Sequence, residues 1–436
     1  MRSLAVIFAT VFIDLLGFGI VIPLLPFYAE HFGGSALTVG LLAVSFSLAQ
    51  FVFVPLWGRW SDSVGRRPII LIGLLGSFIT YVLFGLAQSL VWLFVARTFA
   101  GVAGGTIATA QAYVADSTTP ENRAKGMGIV GAAFGLGFIF GPAIGGFLSQ
   151  WGHAAPPLFA AALSLANFAA AWFYLPESLK RTPGEGVPVR RSRIQALERA
   201  LARPCMPVLL VVYFVVVTAF AGFEATFALF SEHRHGYTAG TIGYLFAFVG
   251  VIMAVVQGGL VGRAVRLFGE RALVPAGILT VGVGFVLLPL GATRAGLLLA
   301  LGVISVGMGL TGPAMTALVS KLSDSHDQGG MLGLTQSLGS LARMVGPAWG
   351  GFLFDRFGET SPYVSSSALM LVAFVVSAVG LSRRRCARAA SASSPNAVGR
   401  GVPDPGAENG RGEPNHPLSE PGSGGAPPPG HMDGNG

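Results

Sequence analysis

The sequence predicts an all-α integral membrane protein of twelve transmembrane helices in two six-helix pseudo-repeats. Three observations carry that prediction. First, 52% of the 436 residues are hydrophobic and only 11% are charged, where a soluble domain has roughly 25% charged. Second, stretches free of Asp, Glu, Lys and Arg cover 32–58, 68–96, 98–115, 126–176, 236–262, 272–293 and 295–320, and a span needs about 20 mostly apolar residues. Third, the chain repeats itself. Tyr28-Ala29-Glu30-His31 is echoed by Phe230-Ser231-Glu232-His233, and Gly58-Arg59 with Gly65-Arg66-Arg67 by Gly262-Arg263 with Gly269-Glu270-Arg271. The phrase GPAIGG at 141–146 returns as GPAWGG at 346–351. Two halves in the same orientation suit a carrier whose site lies at their interface.

In chain order the spans fall at roughly 4–26, 37–57, 68–87, 90–113, 126–149, 156–175, 207–230, 240–262, 272–291, 295–318, 328–353 and 363–382. The first carries Asp14 and Pro23 and many spans follow it, so it reads as a retained helix and not a signal peptide. The long run 126–176 divides in two where glycine and proline mark breaks. Lys and Arg orient the bundle. One set of loops holds Arg59, Arg66, Arg67, Arg123, Lys125, Arg263, Arg266, Arg271 and Lys321. The connector between the halves adds seven more, from Lys180 to Arg203, and Arg383, Arg384, Arg385 and Arg388 follow the last helix. The opposite loops offer Arg234, Arg294 and Arg356. By the positive-inside rule both termini and the connector are cytoplasmic, in a cell membrane.

The domain organisation expected is a first six-helix bundle at 1–175, a basic cytoplasmic linker at 176–206, a second bundle at 207–385 and a disordered tail at 386–436 rich in Pro, Gly and Ser. Cys205 and Cys386 both lie in basic segments, so no disulfide framework is implied. The formal charge of +8 reflects topology and headgroup contacts before nucleic-acid binding.

Three groups of residues stand out. In the repeated phrase, Gly137, Gly141 and Gly145 lie four apart, and Gly131 and Gly135 continue the small-residue stripe. Such a stripe lets helices approach closely in lipid, and neighbours can satisfy the groups Pro142 frees. Gly346, Pro347 and Gly350 repeat the device. Tight packing with a kink is one reading, and a bending helix that seals or opens a pathway is the other. Next, GRWSDSVGRRP at 58–68 joins the second and third helices. Gly58 permits contact at a helix end, Gly65 supplies a tight turn, and Asp62, with Arg66 and Arg67 nearby, offers ion pairs that break and reform. A gating loop and a static charge cluster both remain open. The third group comprises Asp14, Arg97, Glu224 and Arg343, charges within predicted spans, each costing a few kcal/mol or more at mid-bilayer unless paired or hydrated. By rise per residue Asp14 sits near the middle of its helix, Arg97 in the outer third, Glu224 in the outer half and Arg343 near the middle. Each carboxyl is either a proton carrier or half of a fixed ion pair. Gln50 and Gln257 add polarity to a shared cavity.

Other chemistry is thin. There is no phosphate-binding Gly-Lys-Ser/Thr loop, no His-Glu-x-x-His and no zinc-spaced cysteine pair, so neither enzyme activity, metal nor cofactor is expected. His233 and His235 read as solvated residues of a short outer loop. Some of the 32 Phe residues would line a cavity for an aromatic, amphipathic substrate.

These residues also carry a resemblance. The chain resembles the major facilitator superfamily over about residues 4 to 382. Within that superfamily it resembles the drug:proton antiporters, and among them the tetracycline exporters. Asp14-Leu-Leu-Gly17-Phe-Gly19 followed by Pro23-Leu-Leu-Pro26 is similar to that group's first helix, whose acid serves transport. GRWSDSVGRRP matches the superfamily's loop motif. Arg97-Thr-Phe-Ala-Gly101-Val-Ala-Gly104 resembles the helix 4 motif, whose arginine is associated with proton coupling. AYVAD at 112–116, Arg123 and Leu175-Pro-Glu-Ser178 are also similar to the exporters. Gly141-Pro142-x-x-Gly145-Gly146 resembles the antiporter motif of helix 5, thought to block leak. The likeness departs where exporters carry acids in helices 3 and 9 and a histidine in helix 8. Thr80 stands at the first of these positions, while Glu224 in helix 7 is shared with the animal tetracycline-transporter-like branch.

The expected function is secondary active export of small amphipathic organic compounds in exchange for protons. Its partners would be substrate, protons and lipid, acting as a monomer on the proton gradient alone. Proton-coupled uptake of an organic anion and a non-transporting membrane sensor are the alternatives.

Overall fold

The computed structural model describes residues 2–118, 123–179, 193–203, 205–323 and 328–382. The expected tail, Arg123's neighbours in the preceding turn, most of the linker and Cys386 lie outside the described residues. Within them the chain is helical and contains no strand.

The membrane helices are α1 (Ala5–His31), α2 (Ala36–Val64), α3 (Arg66–Gly85), α4 (Leu90–Ser117), α5 (Arg123–Leu148) and α6 (Ala155–Tyr174) in the first repeat. The second repeat contains α7 (Met206–His235), α8 (Ala239–Phe268), α9 (Glu270–Leu290), α10 (Arg294–Lys321), α11 (Gln328–Phe357) and α12 (Ser361–Gly380). All but α11 are apolar enough by composition to cross a membrane; α5 qualifies over Val130–Trp151. Helix α11 is diluted by Gln336, Ser337, Ser340 and Arg343, yet it packs along α2 and α7. It completes the count of twelve. A short helix, Arg193–Ala202, lies in the connector.

Helices overrun their predicted ends. Helix α1 continues through a 3-10 turn at Ile22–Leu24 to His31, and α2 continues past Trp57 to Val64. Hydropathy marks where lipid ends, whereas backbone hydrogen bonding continues until a residue stops it. For α2 that residue is Gly65, at φ +119°, a conformation other residues resist. Gly58 and Asp62 are therefore helical, and the expected loop shrinks to one glycine.

The core of the second repeat is aromatic. Phe223, Phe227, Phe230, Phe285 and Tyr363 are fully buried, with ring centroids 4.9–6.5 Å apart. These rings fill the core of the bundle. Large apolar side chains such as Phe173, Leu267 and Leu290 remain more than two-thirds exposed, as lipid-facing surfaces require.

Candidate functional site: membrane charges framed by two glycine–proline seams

The two repeats meet along two crossings, α2 with α11 and α5 with α8. Both occur at the ends away from the basic loops, called here the distal end. At the first, Gly40 lies so close to the Pro347 carbonyl that a Cβ would collide with it; at the second, Gly243 does the same against Pro142. Gly351 abuts the Ala36 carbonyl, and a Cβ on Gly146 would stand 2.9 Å from the Gly240 carbonyl. Gly40 and Gly243 occupy matching places in the repeats, so the seam is built twice by one device. The other glycines of each phrase turn inward to their own repeat: a Cβ on Gly141 would be 2.7 Å from Gly19, and one on Gly350 would be 3.2 Å from Gly222 Cα. Backbone-to-backbone approach of this kind is how helices associate without a hydrophobic driving force, with Cα–H···O contacts assisting.

Each proline frees the carbonyl four residues earlier. The Arg343 carbonyl, freed by Pro347, accepts from Ser47 Oγ of α2 at 3.5 Å. The Phe138 carbonyl, freed by Pro142, faces Gly250 at the matching place on α8. The stripe does not continue as expected. Gly131 and Gly135 meet nothing within 4 Å, because they lie off the face of α5 on which Val130 and Ala133 pack into the first repeat's core. Gly128, Gly258, Gly259, Gly262, Gly312 and Gly333, all toward the basic end, are equally open. Among the described residues the close glycine contacts between the repeats fall in the distal half, so the bundle is shut distally, while these basic-end glycines face open space.

The charges within the spans form two clusters. In the first repeat Asp14 is buried and accepts from Ser77 Oγ at 2.9 Å. Tyr81 lies within electrostatic reach of both Asp14 and Arg97, and Gly17 makes room for its ring, 3.0 Å from where a Cβ would be. Arg97 is buried with its guanidinium 4.4 Å from the centroid of Phe46, and its Nε has no hydrogen-bond partner. Gln50 packs against Gly104. Half-buried Phe18, Phe46 and Phe138 contact one another beside this cluster, at 5.7 and 6.2 Å. In the second repeat Arg343 acts electrostatically on Glu224 and on Tyr213. Among the described residues no salt bridge joins any of these four charges. Gln257 is exposed on a π-helical turn, Val256–Leu260, an irregularity that frequently marks functional sites and that no feature of the sequence announced. Ser77, Tyr81 and Tyr213 were also missed, because one hydroxyl in an apolar helix has no periodic signature.

At the basic end, Arg66 gathers the motifs together. Its guanidinium donates to Asp62, to Ser61 Oγ at 2.7 Å and to Asp116 Oδ2 at 2.8 Å. Glu177 accepts from the Arg66 and Arg67 amides at 2.8 and 3.1 Å, placing an anion on the N-terminus of α3. A Cβ on Gly65 would stand 2.5 Å from Glu177 Oε2, so glycine is needed there twice over. The second repeat replaces this network with Lys321 and Glu270.

A polytopic helical bundle with repeat-related crossings and buried charges defines a membrane carrier. The Major Facilitator Superfamily profile matches residues 7–266 and 258–403. The chain is 32% identical to multidrug resistance protein 2 of Bacillus subtilis (strain 168), over 84% of this chain and 92% of the relative. It is 33% identical to the class E tetracycline resistance protein of Escherichia coli, over 82% and 89%. The human organic anion transporter MFSD10 (TETRAN) is similar in structure, with a TM-score of 0.65 and 28% identity over 86% of this chain and 99% of that one. The chain belongs to the major facilitator superfamily. It is a multi-pass membrane transporter of a small molecule, not an enzyme.

Two predictions arise from this geometry. Gly40→Val or Gly243→Val should leave insertion intact while disfavouring the distally shut state by ~1–3 kcal/mol, a roughly 5- to 150-fold population change. Distance measurements between spin labels on the distal loops would read it. Glu177→Gln should lower stability by ~0.5–1.5 kcal/mol by weakening the anionic cap on the part-buried Arg66 amide and the exposed Arg67 amide, read as a drop in thermal unfolding temperature in detergent.

Proposed function

We propose that the protein exports small amphipathic organic compounds in exchange for protons by alternating access. In this reading the basic end, with the linker and both termini, is cytoplasmic, and the distal seam is the outer gate. The observation that carries the reading is Asp14, a buried carboxyl with Ser77 as its hydrogen-bond donor and no salt bridge among the described residues. A lone carboxylate is costly in such a place, and a proton removes the cost. With the outer gate shut, Asp14 faces a bundle open to the cytoplasm, where it loses its proton and admits substrate. With the gate open, outer protons neutralise it and substrate leaves. Phe18, Phe46 and Phe138 supply the apolar surface for the substrate, and Arg97 responds to the charge of Asp14 through Tyr81. Glu224 facing Arg343 is a second carboxyl for the same cycle. Gradient energy suffices, so the cycle requires no cofactor, and a single chain holds both repeats, so a monomer completes it. The multidrug and tetracycline resistance relatives agree with export.

A second reading is proton-coupled transport of an organic anion, favoured by Arg97, whose buried Nε lacks a partner, and by the likeness to the human organic anion transporter MFSD10. Counterflow in proteoliposomes, with a pH gradient imposed in either direction and cationic or anionic probes, separates the two readings. A non-transporting sensor finds no support among the relatives.

Asp14→Asn should abolish uphill efflux, at least a hundredfold in rate, while counterflow and membrane insertion persist. Uphill efflux retained by that variant would reject the assignment.

A further inference from the structure

Beside the α5–α8 crossing, at the distal end, lies a cavity of about 570 Å³ that belongs to both repeats. Phe27 and Tyr28 of α1 and Gln150, just past α5, line it from the first repeat. Glu232 of α7 and Thr241 and Tyr244 of α8 line it from the second. Gly240, whose carbonyl meets Gly146 at the seam, forms part of its wall. Asp14, Arg97, Glu224 and Arg343 lie elsewhere.

Three observations give this cavity the character of a cation site. First, its lining holds the acid Glu232 and, among the described residues, no lysine or arginine. Glu232 Oε2 is buried without a hydrogen-bond donor, and among the described residues no salt bridge engages this carboxyl. The basic neighbours are committed to other acids. Arg234 donates to Glu359 at 3.2 Å, and His233 Nε2 lies 3.0 Å from Glu30 Oε1. His233, expected in an outer loop, thus stands in the last turn of α7 and contacts the opposite repeat. Second, the backbone field has the same sign. Tyr28 and Glu232 stand in the last turns of α1 and α7, and Gln150 in the 3-10 turn that ends α5, and helix C-termini carry partial negative charge. The N-terminus of α8 has the opposite sign but is capped by Thr238, whose hydroxyl accepts from the Thr241 amide at 3.5 Å. Third, the walls are aromatic. Tyr244 is 55% exposed and Phe27 half-buried, so ring faces are available to a cation and to the apolar body that carries it. Burial and the neighbouring His31 hold His153, also in the wall, below the usual histidine range, so it adds no opposing charge near neutral pH.

We propose that this cavity is a distal binding site for a small aromatic cation, its ammonium group at Glu232 and its ring against Phe27 and Tyr244, and that the occupant braces the distal end shut. The cation supplies the charge that no protein donor brings to Glu232. Because α1 and α5 form one wall and α7 and α8 the other, the site is complete only while the seam between them is closed. A ligand that binds one state alone multiplies its population by one plus the ratio of ligand concentration to Kd, about tenfold at ten times Kd. A cationic compound accumulating on the distal side therefore brakes the carrier.

The bracing effect rests on alternating access but not on the role given to Asp14 and Glu224, and the test separates them. Full-length protein carrying Asp14→Asn and Glu224→Gln, so that neither acid can hold the probe, is reconstituted in nanodiscs. It is titrated calorimetrically with benzyltrimethylammonium, and with benzyl alcohol as the uncharged control. Saturable binding of the cation is expected, with benzyl alcohol weaker. Adding Glu232→Gln should raise Kd by about tenfold or more, and Tyr244→Ala should raise it several-fold. Should Glu232→Gln fail to insert, Tyr244→Ala carries the test. The same protein without native cysteines, spin-labelled at Gln88→Cys and Ala292→Cys on the distal loops, should gain shut population as the cation is added. Absence of saturable binding, benzyl alcohol binding as tightly as the cation, an affinity indifferent to these replacements, or opening on addition of the cation overturns the site. Such a result leaves the Asp14 reading standing, because that carboxyl is already silenced.

Discussion

The close approach of Gly40 to the Pro347 carbonyl, and of Gly243 to that of Pro142, is the constraint on which the rest of this structure depends. In lipid, two helices gain nothing by excluding water from between them, so association must come from contact itself. Contact at backbone distance exists only where both surfaces lack side chains. The glycine–proline phrase provides one such surface in each repeat, and the facing glycine provides the other. Because the phrase is short and confined to one end, it can hold the repeats together there and leave them apart elsewhere. A shut distal end and open space toward the basic end are two faces of this one placement.

The duplication is obeyed at the seams and broken at the charges within the spans. The crossings α2–α11 and α5–α8 repeat each other down to Ser47 and Gly250, which face the carbonyls that the two prolines free. The buried acids do not repeat. Asp14 is paired in sequence with the region around Thr218, whereas Glu224 stands further along α7, and the arginines sit on α4 and α11. The basic-end network diverges too, with Arg66, Asp116 and Glu177 on one side and Lys321 with Glu270 on the other. Packing at the crossings keeps the symmetry of the duplication, whereas the charges within the spans do not.

Much of this was readable before any coordinates. Charge-free runs, the echo of the two halves and the bias of Lys and Arg determined a twelve-helix, twice-repeated membrane bundle, because hydrocarbon leaves a chain few ways to satisfy its backbone. The isolated Asp14, Arg97, Glu224 and Arg343 were legible as anomalies for the same reason. Tertiary structure alone decided which partners they have: Ser77 and Tyr81 carry no periodic signal, Gly131 looks like Gly141 until the face each presents is known, and Asp62 reads as loop until Gly65 is seen to be the one break. Local rules govern transfer into lipid residue by residue. Contacts across the two repeats depend on where helices cross, and no single helix contains that information.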